Sequence, residues 1–361
     1  MFLESLGWGP DLTHAFSQFL TQTSPPLVPG RVVRQERGLL TLQTSERTVL
    51  ARPSGRVLHH APGAESLPTI GDWVALRLPP GEGEALIHAV LPRRGVLMRR
   101  EAGHEHAAQP IAANLDVVFL VTGLDGNYNP RRIERALTLA WNSGATPVVV
   151  LSKADLEPEA ATRVLEVQAL APGVTVLALS TYTGEGLEAL SAQLPAGRTG
   201  ALLGSSGVGK STLVNHLLGE SRLATQAVSL ADDRGRHTTT HRELFVLPHG
   251  GLLIDGPGMR ELGLWGEEEG LEHAFADILE LADGCRFRDC THQGEPGCAV
   301  RTALETGVLS KERLASYEKL RREQAWQARQ SSPAAQREQR RHERTRTVMG
   351  WEHSRAKRRG K

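Results

Sequence analysis

The run Gly204-Ser205-Ser206-Gly207-Val208-Gly209-Lys210-Ser211 has the residue types and spacing of a loop that cradles phosphates. An apolar strand, Ala201-Leu202-Leu203, precedes it, and Thr212 to Leu218 reads as the opening of a helix. In that setting the glycines let backbone N–H groups curl around phosphate oxygens, and the helix N-terminus adds partial positive charge. Lys210 is expected to reach the outer phosphates, and the Ser211 hydroxyl to hold Mg²⁺, with Thr212 behind it. The segment Gly204 to Thr212 is therefore expected to bind a nucleoside triphosphate. A second group of chemically capable residues is Cys285, Cys290, His292 and Cys298, all within fourteen residues. Three thiolates and one imidazole make a closed tetrahedral shell, the pattern of structural zinc, with no open position for catalysis.

Further segments bear on which nucleotide is bound. The strand Val148-Val149-Val150-Leu151 runs into Ser152-Lys153-Ala154-Asp155, which resembles the Asn-Lys-x-Asp element of GTPases with serine in place of asparagine. A carboxylate at Asp155 can accept from guanine N1–H and its exocyclic amine, a donor pair that adenine lacks. The Lys153 stem is expected to lie over the base. Ser180, after Ala178-Leu179, resembles the element that touches the guanine carbonyl through its backbone. Arg236-His237-Thr238-Thr239 reads as a first switch, in which Thr238 or Thr239 closes on Mg²⁺ and the γ-phosphate. Asp255-Gly256-Pro257-Gly258 supplies an Asp-x-x-Gly element, with Asp255 at the Mg²⁺ shell and the Gly258 N–H on the γ-phosphate. Gly256 stands where threonine is usual.

The order of these segments is unusual. Base-reading elements at 152 and 180 precede phosphate-reading elements at 204, 238 and 255. A circular permutation produces that order, and it ties the chain beyond Gly258 to the segment that moves on hydrolysis. The C-terminal module is therefore expected to sense nucleotide state. Met259 occupies the position where a glutamine would orient the attacking water, and its thioether cannot do so. Intrinsic hydrolysis is expected to be slow. His237 is the water-orienting candidate within the chain, the alternative being a surface or RNA-contacting histidine.

These groups need a scaffold. In 361 residues, 40% hydrophobic and 23% charged, there is room for several soluble domains. A helical lead-in is expected over 1–27 and an OB-type β-barrel over 28–105, built from short β-rich runs that include Gly55-Arg56-Val57-Leu58. The α/β P-loop GTPase domain is expected over 106–265, a mostly helical zinc-binding domain over 266–330 and a basic tail over 331–361. From Lys311 to Lys361 there are sixteen Lys/Arg against six Glu, on a body that is correspondingly acidic. Such a tail suits a polyanion such as RNA, or else a solvated extension. No apolar run approaches the roughly 20 residues that span a bilayer, and Met1 to Leu6 carries no basic n-region, so a secretory signal is not expected. Three closely spaced cysteines fit a reducing cytoplasm.

Taken together, these segments resemble the ribosome small subunit-dependent GTPase A (RsgA) family of circularly permuted GTPases, over about Gly30 to Val300. Gly71-Asp72-Trp73-Val74, Gln109-Pro110-Ile111-Ala112-Ala113-Asn114-Leu115-Asp116 and Gly235 to Thr240 carry the likeness alongside the motifs above. The resemblance implies a late assembly factor of the small ribosomal subunit, whose OB, GTPase and zinc domains contact rRNA. It implies hydrolysis of GTP to GDP stimulated by that subunit and coupled to release, with one zinc, Mg²⁺ bound with GTP, and a monomeric chain. A GTP-gated RNA-binding scaffold, a permuted GTPase for another RNA and an ATPase are the alternatives.

Overall fold

The computed structural model describes residues 2–20, 26–36, 38–61, 63–100, 108–126, 128–219, 241–256 and 268–331. His237, Thr238, Thr239, Gly258, Met259 and the basic tail beyond Ser331 lie outside them.

Two short helices, α1 (Phe2–Ser5) and α2 (Pro10–Ser17), open the chain. Strands β1 (Val28–Glu36), β2 (Leu39–Thr44) and β3 (Thr48–Pro53), helix α3 (Gly55–His60), and strands β4 (Trp73–Arg77) and β5 (Ala85–Val90) come next. The strands pair in the order β1-β2-β3-β5-β4 and close through β1–β4, a five-stranded barrel with parallel β3 and β5. This closed barrel fits the expected OB type. Alternation places Leu40, Leu42, Val49 and Ala51 inside, against Val32, Val74, Leu76 and Ile87. The run Gly55 to Leu58, expected as strand, is the helix α3: Ser54 caps it by accepting from Val57 N–H, and none of its residues is buried. A hairpin, β6 (Val96–Arg100) with β7 (Ala108–Ala113), lies between the barrel and an α/β unit.

The α/β unit runs β8 (Val117–Gly123), α4 (Pro130–Asn142), β9 (Thr146–Ser152), α5 (Ala160–Leu170), β10 (Thr175–Ala178), α6 (Leu187–Ala192), β11 (Thr199–Leu203), α7 (Lys210–Leu218), β12 (Arg242–Val246) and β13 (Leu252–Asp255). Sheet order is β10-β9-β8-β11-β13-β12, parallel except for β12. Every residue of β8 and β11 is buried, because helices cover both faces. Ile133, Leu137 and Val167 of α4 and α5 pack on one face, and Leu187, Leu190, Leu213 and Leu217 of α6 and α7 on the other. The glycine-rich loop thus comes after a central strand that lies late in the chain, as a permuted connectivity requires.

Barrel and sheet share one ladder, because β12 pairs with β1 at Arg34↔Glu243 and Gln35↔Arg242. Arg31, only 1% exposed, locks the junction. Its guanidinium donates to Leu6 O beside α1, to Gly71 O of the barrel and, at 2.8 Å, to Thr199 Oγ1 at the start of β11. Burial pushes its pKa down to about 10.

Four helices complete the described chain: α8 (Glu268–Ala274), α9 (Ala276–Asp283), α10 (Ala299–Glu305) and α11 (Lys311–Ser331). Both α8 and α11 lie against α4. Gly270 of α8 has no room for a side chain: an added Cβ would meet Thr138 O and Asn142, and its N–H donates 2.9 Å to Asn142 Oδ1.

Candidate functional site: a nucleotide edge and a metal cluster

Parallel strands expose their C-terminal ends on one edge, the usual location of ligands in open α/β sheets. Asp125 lies just past β8, Ser152 to Asp155 end and extend β9, Ser180 lies just past β10, Gly204 just past β11, and Asp255 ends β13. The structure therefore brings the described nucleotide-site candidates to a single edge. Backbone bonds stitch it together, from Leu124 N–H to Ser152 O at 2.8 Å, Leu179 N–H to Leu151 O at 2.9 Å and Ala154 N–H to Leu179 O at 3.1 Å.

The loop after β11 has the backbone its glycines allow. An added Cβ at Gly204 would run into the Val121 carbonyl, and Gly209, with φ 92°, caps α7 in the left-handed region. Ser206 and Gly207 are exposed, Ser205 is half-buried and Val208 is buried. Lys210 is buried, and its Nζ donates 2.6 Å bonds to Gly204 O and Ser205 O, which hold the cation against the loop. Ser211 and Thr212 lie half-buried in the first turn of α7.

At the neighbouring strand end, Ser152 is buried and its Oγ donates to Val208 O at 2.7 Å. Serine in place of asparagine thus still braces this segment, here against the glycine-rich loop. Lys153 sits at φ 60°, ψ 38°, and its Nζ pairs with Asp125 Oδ2 at 2.6 Å. Asp155 is exposed at the rim. Ser180 is buried, and its Oγ accepts from Tyr182 and Thr183 N–H, shaping the turn beside Ala154. Gly256 has a packing reason to lack a side chain, since a Cβ there would lie 2.7 Å from Arg242 Cα. His241, just after the first-switch segment, pairs with Glu243 at 2.9 Å.

The cysteine cluster is assembled between α9 and α10. Cys285 Sγ lies 3.9 Å from Cys298 Sγ, and His292 Nδ1 lies 3.7 and 3.5 Å from those sulfurs. All four ligand atoms, Cys290 Sγ included, fall within 4.8 Å of one another. A tetrahedron with Zn–S about 2.3 Å and Zn–N about 2.0 Å has edges of roughly 3.5–3.8 Å, so the four residues fit such an ion. Burial and the Arg321 charge push His292 below its ordinary pKa, which favours the neutral imidazole that a metal needs.

Glu295 organises this loop. Its Oε1 accepts from Thr291 N–H and hydroxyl, and its Oε2 from Gln293 N–H at 2.9 Å and Gly294 N–H at 3.1 Å. These bonds, that from the Thr291 hydroxyl foremost, lower its pKa to about 2. They also hold the backbone around His292, whose φ of 63° is unusual for a side chain of that size.

A family model described as "RsgA GTPase" matches residues 90–265. The small ribosomal subunit biogenesis GTPase RsgA of Opitutus terrae is 49% identical over 349 residues, 94% of each chain. This chain belongs to the RsgA GTPase family. The RsgA of Syntrophotalea carbinolica, with the same descriptive name, is 44% identical over 353 residues, 96% of each chain. The crystal structure of YjeQ from Thermotoga maritima superposes with a TM-score of 0.60 at 28% identity, covering 81% of this chain and 97% of that one. YloQ, described as a circularly permuted GTPase, shares the fold with a TM-score of 0.58 at 23% identity, over 82% and 94%. As an RsgA GTPase the chain is a GTP-hydrolysing enzyme with permuted connectivity.

Sequence reasoning missed Asp125 and Glu295. The first carried a positional signal, a carboxylate two residues past a parallel strand that opens on five consecutive apolar residues. The second lies within the cysteine spacing, but its role is visible only once the loop is folded.

Proposed function

We propose that this RsgA GTPase acts in biogenesis of the small ribosomal subunit, binding its rRNA and hydrolysing GTP to GDP as a late step coupled to its own release. One observation carries the reading at the level of the site. The segment with Asp155 and the loop with Lys210 are joined by Ser152, at the C-terminal edge of one sheet. A ligand with a guanine at one end and a triphosphate at the other suits that edge. The names of the relatives support the ribosomal setting.

In this reading the Asp155 carboxylate accepts from guanine, Lys153 covers the base and Ser180 positions the adjoining turn. Gly204 to Thr212 wrap the phosphates, and Lys210 exchanges loop carbonyls for phosphate oxygens as charge develops. Ser211 and Asp255, with Thr238 or Thr239, would hold magnesium, and the Gly258 N–H would serve the γ-phosphate. Magnesium bound with GTP supplies charge neutralisation at the outer phosphates. His237 orients water in place of the glutamine that Met259 replaces, and docking on the subunit completes the site. Cys285, Cys290, His292 and Cys298 hold a zinc ion that fixes the fold between α9 and α10. The chain works as a monomer in the cytoplasm. Among the described residues no helix is long and apolar enough to cross a membrane.

The test is GTP turnover by the full chain with and without purified small subunits, at fixed salt. Multiple turnover stimulated by the subunit is expected. Equal rates in both arms overturn the assembly role.

A further inference from the structure

The close approach of Lys153 to Asp125 places a carboxylate at the base end of the nucleotide edge, on a different strand from Asp155. Lys153 Nζ lies 2.6 Å from Asp125 Oδ2, with the two side chains 26% and 22% exposed. Such a half-buried, charge-assisted bond holds a lysine more firmly than an exposed pair does. The backbones prepare it from both sides. Lys153 is held in the left-handed region, where the backbone turns out of β9. Asp125 folds back over the end of β8, where an added Cβ at Gly123 would lie 2.9 Å from its Oδ1. A turn closed by Tyr128 N–H on Asp125 O, at 3.1 Å, fixes the carboxylate's own backbone.

A lysine that covers a base with its methylene stem has four rotatable bonds to freeze, and freezing them costs binding energy unless the protein has done so beforehand. Anchoring the ammonium at its far end removes most of that freedom before the base arrives. We infer that Asp125 is a positioning residue for guanine recognition, holding Lys153 extended so that its stem forms one wall of the base site. This rests on the reading of Asp155 and Lys153 as the guanine site. Asp125 acts through Lys153, its charge-assisted partner at the base end of the edge. Its influence is therefore confined to ligands that carry a purine ring.

The experiment measures fluorescent GDP dissociation and competition by GDP, IDP and inorganic tripolyphosphate, on the full chain and on D125A, D125N, K153A and D125A/K153A. Thermal melting is followed in parallel. For D125A, affinity for GDP and IDP is expected to fall by the same factor, about tenfold, the scale of one charge-assisted hydrogen bond. Tripolyphosphate competition and melting temperature stay unchanged. D125N, whose amide oxygen still accepts from the ammonium, recovers part of the loss, and the double variant is no worse than K153A alone. GDP affinity within twofold of the parent, or additive losses in the double variant, overturns the inference. So does a parallel loss of tripolyphosphate binding and melting temperature, which would make Asp125 a support of the loop. The guanine reading is tested separately by D155N, which is expected to favour xanthosine diphosphate over GDP. If that preference does not move, the base-site assignment falls whatever Asp125 does.

Discussion

Ser152 Oγ donates a 2.7 Å hydrogen bond to the Val208 carbonyl, joining the strand end that carries Asp155 to the middle of the glycine-rich loop. The hydroxyl is also 3.3 Å from Thr122 O on β8, so one small side chain ties three segments of the edge. Ser152→Ala leaves the Val208 carbonyl without this donor in a buried setting, at a cost of about 1 kcal/mol in stability. Because the bond registers the loop against the Asp155 segment, guanine nucleotide affinity is expected to fall about fivefold, in line with a cost of that size. Urea unfolding and fluorescent GDP titration of the same preparation check both numbers. Unchanged GDP affinity would mean that the two segments are positioned independently.

Lys210 gives a larger and different effect. Its ammonium rests on Gly204 O and Ser205 O, and these carbonyls hold it where an incoming phosphate can take it over. Lys210→Ala is expected to lower GTP and GDP affinity about a hundredfold, the scale of one or two charge-assisted hydrogen bonds. The same titration checks it. GTP binding near the parental value would remove the glycine-rich loop from nucleotide recognition.

Glu295 supports the metal cluster without being one of its ligands. Four donors converge on its carboxylate, and its depressed pKa means that this support is complete above the ordinary carboxylate range. It is lost only as pH falls from that range toward about 2, so at neutral pH the carboxylate is fully engaged. Glu295→Gln turns one acceptor into a donor facing N–H groups. Zinc affinity at neutral pH, measured by competition with a chromogenic chelator, is expected to drop about tenfold or more, as for other residues that orient metal ligands. Parental affinity in the variant would show that the cysteine spacing alone sets the site.

The sequence made the chemistry legible wherever a function needs consecutive residues. The glycine-rich loop, the Ser152 to Asp155 segment and the Cys285 to Cys298 spacing are each contained in one stretch, so residue type and spacing suffice. What stayed hidden depends on long-range packing. Arg31 looks like an exposed strand residue, yet Thr199, 168 residues away, accepts from its buried guanidinium. Asp125 gains its partner from the neighbouring strand. Helix α3 reads as strand because six residues are too few to display a helical period, and its Ser54 cap is the only local cue. Strand β12 escaped notice for a related reason, since its alternation becomes meaningful only when it bridges β13 and the barrel.

The attachment of the C-terminal module to α4 yields an asymmetric prediction. Glu134 of α4, 2% exposed, accepts from Arg313 Nη1 at 2.7 Å and from the Ser316 hydroxyl, both on α11. Arg313 also binds Asp277 at 2.7 Å and Ala274 O at 2.8 Å, and its guanidinium lies 4.2 Å from the Phe275 ring. Against burial, which lowers it, the Asp277 and Glu134 carboxylates keep the arginine's pKa above its ordinary value. Removing the cation strands a carboxylate in the interior, whereas neutralising Glu134 leaves Arg313 its bond to the partly exposed Asp277. Arg313→Ala is therefore expected to cost about 3–5 kcal/mol, and Glu134→Gln markedly less. The same helix places Arg132 Nη1 3.4 Å from Ser205 Oγ in the glycine-rich loop, so α4 connects the nucleotide edge to the metal-bearing module. Loosening α11 should then be felt at the loop, as faster GDP release from Arg313→Ala than from Glu134→Gln. Denaturant unfolding and GDP dissociation rates, measured on both variants, check the order, and equal losses would show that stranding the Glu134 carboxylate carries no extra penalty.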